Sequence, residues 1–165
     1  MSDFFSKVKH DAFKGDYITR LLYLNIAVFL AFSLTNAFAS LFTGNFGLIP
    51  NIADDLLALP SNPLKFALRP WTILTYMFTH FGFRHILFNM IILYFSGKML
   101  MEYLGERRML SLYIYGGIGG GILYIILYNI SPVLTSGSMV GASAGVIAIL
   151  VAGALYMPNM PVRLW

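Results

Sequence analysis

Three polar residues in otherwise apolar surroundings are the candidates for chemistry. His85 and Asn89 stand four residues apart, which on a helix puts both side chains on one face, about 6 Å apart. Ser143 lies in the pentapeptide Gly141-Ala142-Ser143-Ala144-Gly145. A hydroxyl, an imidazole and an amide are the groups of a serine nucleophile site with an oxyanion hole. A structural interpretation stays open for each, since His and Asn form interhelical hydrogen bonds and a serine among glycines is a small packing residue.

The pentapeptide also fits the Gly-x-Ser-x-Gly nucleophile elbow of the α/β-hydrolases. That elbow needs a strand before it and a soluble sheet around it. Here a polar loop, Thr135 to Ser138, precedes the serine and an apolar run follows it. We therefore reject the hydrolase fold. Ser136 and Ser138 are weaker nucleophile candidates than Ser143, because no helix start fixes their position.

The elements that must position these residues are membrane helices. Of the 165 residues, 58% are hydrophobic and 11% are charged, against roughly a quarter charged in ordinary soluble proteins. No charged residue occurs from Leu21 to Phe42 or from Met109 to Tyr128, and each run is long enough to cross the hydrocarbon layer. The chain has room for about four such spans and is too short for a large transporter.

Two further spans complete the prediction. The charge-free run from Val140 to Met157 suits a slightly short span packed against neighbours. The segment from about His85 to Leu104 is the least hydrophobic of the four, with polar and charged residues near both ends. The second and fourth spans run in the same direction, and the three candidate residues fall in the first turns of these spans. We expect an all-α polytopic helix bundle in which His85, Asn89 and Ser143 share one membrane depth.

The basic charge follows the predicted topology. With residues 1–20 on the cytoplasmic side, that side receives eight of the eleven Lys and Arg residues: Lys7, Lys9, Lys14, Arg20, Lys98, Arg107, Arg108 and Arg163. This distribution agrees with the positive-inside rule and accounts for the net positive charge of the chain, so nucleic-acid binding is not needed to explain it. It predicts a multi-pass protein of the cell membrane with a cytoplasmic N-terminus and with the polar site near the outer face.

The chain contains few residues that could bind a metal ion and none that could supply a thiol. Cysteine is absent, and the histidines His10, His80 and His85 do not have the spacing of a zinc site. No cofactor or metal is predicted. The roughly 40 residues from Thr43 to Arg84 exceed the about 4 to 6 residues of a passive connection, so we expect this loop to have a structure of its own. Its first part, around Asp54 and Asp55, is expected to be loosely ordered.

Together these residues resemble the rhomboid intramembrane serine proteases. The resemblance rests on Trp71, on the segment from Thr79 to Met90 with His80, His85 and Asn89, and on Glu102 near the inner end of that span. The Gly141–Gly145 serine motif follows at the expected place in the fourth span. The match runs from about Leu21 to the end, and the His-x-x-x-Asn helix with the later Gly-x-Ser is far more specific than either part.

The resemblance implies a role for each matching residue. Ser143 would be the nucleophile, and His85 and Asn89 would line the oxyanion hole with the Ser143 backbone amide. His80 would be structural, and Trp71 would belong to an outer loop that lies partly in the bilayer. The family often has Arg directly after this Trp, whereas Thr72 follows here. Gly141 and Gly145 are expected to leave room for close backbone approach and for water.

The source of the general base is the main departure from the family. The residues alone suggest His85 as the base with Asn89 orienting it, whereas the family takes its catalytic histidine from a sixth span. This sequence reaches Trp165 after four predicted spans, so we expect that histidine beyond Trp165 and expect this chain alone to be inactive. The alternative is a natural four-span relative that lacks the base.

The resulting functional prediction is an intramembrane serine protease that cleaves transmembrane segments of other proteins. Residues 1–20 would form a cytoplasmic N-terminal segment, and residues 21–165 a rhomboid-like membrane domain with four of the six core helices. The partners would be transmembrane protein substrates and the lipid bilayer, with the oligomeric state open. The rival prediction is a catalytically inactive rhomboid-like protein that binds transmembrane clients without cutting them.

Overall fold

The computed structural model describes residues 2–45, 48–135 and 137–156 of the chain. Helices dominate this part, and they are α1 (Ser2–Lys14), α2 (Tyr17–Thr43), α3 (Leu48–Leu57), α4 (Pro63–Leu68), α5 (Thr72–Thr75), a 3₁₀ turn (Tyr76–Phe78), α6 (Phe83–Leu104), α7 (Glu106–Ile130) and α8 (Ser143–Tyr156). Two short strands, β1 (Leu59–Pro60) and β2 (Ser138–Met139), pair antiparallel. The architecture is an all-α bundle, as predicted.

The four predicted spans correspond to α2, α6, α7 and α8. Of these, α2 and α7 are long and apolar enough to cross a membrane by length and composition. The described part of α8 is shorter, with 14 residues. Large apolar side chains such as Leu30, Leu34 and Phe38 of α2 are exposed, which suits a surface in contact with lipid. That this chain carries four of six core helices stays a prediction.

Local chemistry moves two of the predicted boundaries. The helix α2 begins earlier than Leu21, because the Asp16 carboxylate caps its first turn by accepting a 2.8 Å hydrogen bond from the Thr19 backbone N–H. Residues 17–20 thus belong to α2, although the division into 1–20 and 21–165 itself stays a prediction. The helix α8 begins at Ser143 rather than Val140, because Gly141 has a φ of 112° that no helix contains.

The helices α6, α7 and α8 form the centre of the bundle. The helix α8 packs most extensively against α7 and next against α6, and α2 packs mainly against α6 and α3. The close contact with α7 uses glycines, since Cβ atoms built on Gly116 and Gly120 would lie 2.2 Å from Ala148 Cβ and 2.6 Å from Ala144 Cβ. Gly116 and Gly120 are four residues apart in the sequence, a Gly-x-x-x-Gly spacing that predicts close helix packing, and the structure shows that packing.

The long connection between α2 and α6 is folded. It contains α3, β1, α4, α5 and the 3₁₀ turn, so the prediction of a loop with its own structure is confirmed. The prediction of loose order around Asp54 and Asp55 is wrong, because both residues belong to α3. The Asp54 carboxylate accepts a 2.5 Å hydrogen bond from the Ser138 hydroxyl, and Asp55 accepts from the Arg69 guanidinium.

Ser61 ties this connection to the segment before α8. Its N–H donates to the Gly137 carbonyl at 2.9 Å, and its hydroxyl oxygen accepts from the Gly137 N–H at 3.0 Å. Its own carbonyl accepts a 2.8 Å hydrogen bond from the Asn129 side chain at the end of α7. These bonds continue the short β1–β2 pairing. A two-residue strand therefore precedes the serine motif, but it belongs to a sheet of only two short strands, which differs from the large sheet of an α/β-hydrolase.

An ion pair joins α6 to the start of α2. The Lys98 ammonium on α6 bonds to the Asp16 carboxylate that caps α2. In the sequence Lys98 and Glu102 stand four residues apart, which allows them either to pair or to extend separately toward the membrane surface. In the structure Glu102 is exposed and Lys98 bonds to Asp16. Burial opposes ionisation of Asp16, yet the hydrogen bonds from Lys98 and Thr19 and the charge of Lys98 outweigh it and lower the pKa of that carboxyl.

Candidate active site

Ser143 is the first residue of α8, and its side chain is exposed. Within the part of the chain that the structure describes, no group hydrogen-bonds to its hydroxyl. The first N–H groups of a helix lack intrahelical partners and carry a partial positive charge. The serine therefore stands where backbone donors can stabilise a negative charge.

Two hydrogen bonds hold the residues just before Ser143 against the end of the long connection. The Gly141 N–H donates to the Tyr76 carbonyl at 2.8 Å. The Ala142 N–H donates to Nε2 of His80 at 3.3 Å. Because Ala142 and His80 are both buried, this bond is shielded from water and fixes the approach of the chain to the serine.

His80 acts in this arrangement as a neutral hydrogen-bond acceptor. Its Nε2 faces both the Ala142 N–H and the Asn89 side-chain Nδ2, the latter at 3.4 Å. An imidazole that accepts at Nε2 carries its proton on Nδ1. Burial of the ring, and secondly the nearby His85, lower the pKa of His80 to about 4, against a smaller opposing effect of the Phe78 carbonyl. His80 therefore stays uncharged at neutral pH.

His85 and Asn89 lie in the first two turns of α6, on the same side of the site. The His85 ring is exposed and lies 5.0 Å from the His80 ring, centroid to centroid, with an interplanar angle of 68°. Asn89 is buried, and its Nδ2 donates to the His85 carbonyl at 3.0 Å. The structure thus brings together His80, His85, Asn89 and the backbone of residues 141–142.

Gly141 cannot be another residue without moving His85. A Cβ atom at position 141 would lie 2.5 Å from Nε2 and 2.6 Å from Cε1 of His85. The φ of 112° is also a backbone conformation that L side chains rarely adopt. Gly141, the first glycine of the motif, is therefore required for two reasons. Its φ is one that glycine favours, and a side chain at this position would overlap the imidazole of His85.

The second glycine of the motif has a different role. A Cβ atom on Gly145 would lie 2.7 Å from the backbone oxygen of Tyr113 and 2.9 Å from its ring. Gly145 consequently lets α8 approach α7 closely. It leaves no room for water, because Tyr113 fills that space.

Trp71 lies apart from this cluster. Its indole N–H donates to the Leu56 carbonyl at 2.8 Å, and the side chain is 48% exposed. Thr72, which stands where the family often has Arg, is buried and donates its hydroxyl to the Arg69 carbonyl at 2.7 Å. Both residues organise the connection around α3 and α5 and do not contact the serine segment.

Tyr76 is a residue of the site that sequence reasoning missed. It is fully buried, its hydroxyl donates to the Gly117 carbonyl of α7 at 2.7 Å, and its carbonyl accepts from Gly141. It appears in the sequence as one aromatic residue among several in the loop. A backbone carbonyl has no sequence signature, so no pattern could have indicated this contact.

The other candidates are less favourable. Ser138 donates its hydroxyl to Asp54, and Ser136 lies outside the described residues, as does the C-terminal segment from Met157 onward. Among the described residues, no three His, Asp or Glu side chains lie close enough to hold a metal ion. The chemistry that the site offers is polar: an exposed hydroxyl at a helix start, helix N–H groups that can donate to a developing negative charge, and an imidazole that packs on Gly141 two residues before that hydroxyl.

Comparison with known proteins identifies a matching family. The family model described as the rhomboid domain matches residues 67–164, which is more than half of the chain. RHOMBOID-like protein 12, mitochondrial, of Arabidopsis thaliana is 40% identical over 55 residues, 33% of this chain and 16% of that protein. Rhomboid-like protein 16, chloroplastic, of the same plant is 32% identical over 69 residues, 42% of this chain and 21% of that protein.

These alignments span only about a sixth and a fifth of the two plant relatives. No solved structure matches the chain. The family match covers the Trp71 region, the His85–Asn89 helix, the glycine-bearing helix α7 and the serine motif. By its matching domain and its all-α architecture of apolar helices, this chain is a membrane protein and belongs to the rhomboid family.

Proposed function

We propose that this chain carries the nucleophile and oxyanion-binding parts of an intramembrane serine protease that cleaves transmembrane segments of other proteins. Ser143 attacks the carbonyl carbon of the scissile peptide bond. His85, Asn89 and the Ser143 backbone N–H donate to the oxygen that becomes negatively charged. The observation that carries this proposal is the contact of the His85 ring with Gly141, which brings the imidazole to the chain just before an exposed serine at a helix start.

The two nearby histidines are not equivalent in this proposal. His80 is unsuited to accept the serine proton, because its Nε2 lone pair already accepts from Ala142 and its ring is buried. His85 is exposed and adjacent, so the residues alone leave it open as a base or as an oxyanion donor. By analogy with the family we assign it to the oxyanion hole. By the family's pattern, the proton of Ser143 would pass to a histidine that is not among the three of this sequence and from there to the departing amine, and water would then release the acyl group from Ser143.

A second function is supported by one specific observation. Among the described residues, none accepts a hydrogen bond from the Ser143 hydroxyl, and a serine without a base is a poor nucleophile at neutral pH. A rhomboid-like protein that binds transmembrane clients without cutting them would need only the apolar helix faces. This client-binding function is the alternative.

Labelling with a fluorophosphonate distinguishes the two functions. The intact protein in lipid nanodiscs is expected to react at Ser143, and Ser143→Ala should abolish the label. Ser138→Ala is the matched control, because that hydroxyl is held by Asp54, and it should label like the unaltered protein. Equal labelling of Ser143→Ala and the unaltered protein would remove Ser143 as nucleophile. Absent labelling with retained client cross-linking would favour the binding function.

The membrane and its orientation are part of the proposal. The positive-inside distribution favours a cell membrane with a cytoplasmic N-terminus, whereas the names of the two relatives refer to mitochondria and chloroplasts. The chain contains no cysteine, so single cysteines introduced at Ser6 and at the exposed Val133 report accessibility cleanly. A membrane-impermeant maleimide on intact cells should label Val133→Cys and spare Ser6→Cys. The opposite pattern would reverse the topology.

A further inference from the structure

A small cleft lies between the first span and the buried His80. It has a volume of about 60 Å³ and is bounded by α2, by α3 and by the loop that precedes α6. Most of its lining is apolar. The polar side chains that line it are Ser33 and Asn36, one turn apart on α2, and His80 on the opposite wall.

Two buried polar atoms of these side chains lack a hydrogen-bond partner. They are Nδ1 of His80 and Oδ1 of Asn36. His80 as a whole is only 2% exposed. Leaving a buried donor or acceptor unsatisfied destabilises the folded protein, and both of these atoms belong to residues that line the same cleft. Some group that hydrogen-bonds to both would remove this destabilisation.

The two atoms have complementary requirements. Because Nε2 of His80 accepts from Ala142, Nδ1 must carry the ring proton. The Phe78 carbonyl that raises the pKa of the ring does not reach hydrogen-bond geometry with Nδ1, which therefore still needs an acceptor. The Oδ1 of Asn36 needs a donor. Water supplies both functions at once, and a cavity holds a water molecule once it offers roughly 10–15 Å³ of free volume and two or more polar partners.

We propose that this cleft is a water-binding site in which ordered water links Asn36 on the first span to Nδ1 of His80. The water keeps the His80 proton on Nδ1, and so keeps Nε2 free to accept from the Ala142 N–H. Asn36 is thereby a positioning residue for the chain before Ser143, although it touches neither the serine nor His85. This inference does not depend on the proposed protease activity, because it concerns hydrogen bonding in the resting protein.

Nitrogen-15 NMR of histidine-labelled protein in lipid nanodiscs tests the site. The chain has three histidines, so His10→Gln and His85→Gln assign the His80 signals. We expect a protonated Nδ1, an unprotonated Nε2, and a magnetisation-transfer peak between water and the Nδ1 proton. An Nε2-protonated ring, or transfer from lipid methylenes instead of water, would overturn the proposal.

Variants of Asn36 complete the test. Asn36→Leu should remove the water peak and move the His80 population toward the Nε2-protonated form. Asn36→Asp, which keeps an acceptor oxygen at the same position, should retain the Nδ1-protonated form even if the leucine variant folds poorly. Thr35→Val is the matched control, because Thr35 is exposed and bonds only to its own helix. An undiminished water peak in folded Asn36→Leu would contradict the assignment.

Discussion

The imidazole of His85 lies against Gly141 at the point where any other residue would carry its Cβ atom. The distance from that Cβ position to Nε2 of His85 is 2.5 Å. This contact joins the start of α6, which carries the predicted oxyanion donors, to the turn before α8. Several expectations about the site depend on it.

Replacing Gly141 by alanine should disrupt the site. The new methyl group would displace His85, and the φ of 112° would be strained, so we expect a loss of about 1–3 kcal/mol in the free energy of unfolding and loss of fluorophosphonate labelling. Gly82→Ala is the control, because its Cβ would meet nothing closer than 4.0 Å. Normal labelling of Gly141→Ala would show that the His85 position is not needed.

His85→Ala and Asn89→Ala should lower kcat more than they weaken client binding. Donors that stabilise an oxyanion strengthen in the transition state, and loss of one such donor costs roughly 10²–10³-fold in kcat. Steady-state cleavage of a fluorescent transmembrane substrate, with client affinity measured separately, checks this expectation. Arg84→Ala, beside His85 and exposed, should change neither quantity. Weakened binding with unchanged kcat would assign the two residues to client recognition.

Protonation of His80 should destabilise the protein in mild acid. Its pKa is about 4 in the folded chain, against about 6.5 in the unfolded chain. The unfolded state therefore binds more protons between these values, and stability should fall as the pH drops from about 6.5 to about 4, by up to about 3 kcal/mol.

His80→Gln provides the comparison for this pH dependence. The glutamine can still accept from Ala142 but does not titrate, so denaturant titrations of this variant should show a flatter profile between about pH 4 and pH 6.5. His10→Gln, on the exposed side of α1, should leave the profile unchanged. An identical profile for His80→Gln would mean that another group causes the acid sensitivity.

Asp16→Asn should remove the ion pair with Lys98 while keeping the helix cap. The asparagine oxygen can still accept from the Thr19 N–H, so the expected loss of about 1 kcal/mol or less reports the charge alone, in keeping with its partial exposure. Because the folded pKa of Asp16 is lowered, its contribution is present above about pH 4 and disappears as the pH falls further.

The matched variant for this ion pair is Glu102→Gln. Glu102 lies one turn from Lys98 on α6 but is exposed, so its loss should change the unfolding free energy by less than about 0.5 kcal/mol. A larger effect of Glu102→Gln than of Asp16→Asn, measured by denaturant titration at neutral pH, would indicate that Lys98 pairs with Glu102, as their four-residue spacing allows.

Gly116→Leu should separate α7 from α8. The side chain would overlap Ala148, and such overpacking costs about 1–3 kcal/mol. Gly119→Leu is an informative control on the same helix, since nothing lies within 4 Å of a Cβ at that position. It should be neutral or slightly stabilising, because leucine favours helix more than glycine does. Equal destabilisation by both changes would argue against close helix contact at Gly116.

Much of the helical framework is predictable from the sequence. Charge-free runs indicate α2 and α7, and the four-residue spacing of His85 and Asn89 correctly indicates a shared side of α6. The spaced glycines of α7 correctly predict close packing. Each of these features depends on the spacing of residues within one segment, and that spacing can be read directly from a single sequence.

Contacts between distant segments could not be predicted. The partner of Lys98 is Asp16 rather than the neighbouring Glu102, and the partner of Gly145 is Tyr113 rather than water. The segment around Asp54 is helical although acidic pairs suggest a solvated loop, and its carboxylate accepts a hydrogen bond from Ser138, which lies beyond α7 in the sequence. Such choices depend on which surfaces the folded chain brings together, and no local pattern encodes them.

The hydrogen bonds that hold the serine segment also set an order of events during synthesis. The partners Ala142 and His80 are 62 residues apart, and Gly137 and Ser61 are 76 apart. A nascent chain that has delivered only its first three predicted spans to the membrane has the accepting Ser61 hydroxyl and His80 imidazole but not the serine motif. The ribosome must release α8 before the turn at Gly141 can pack on His85, so the candidate site forms only after the surrounding helices are already inserted.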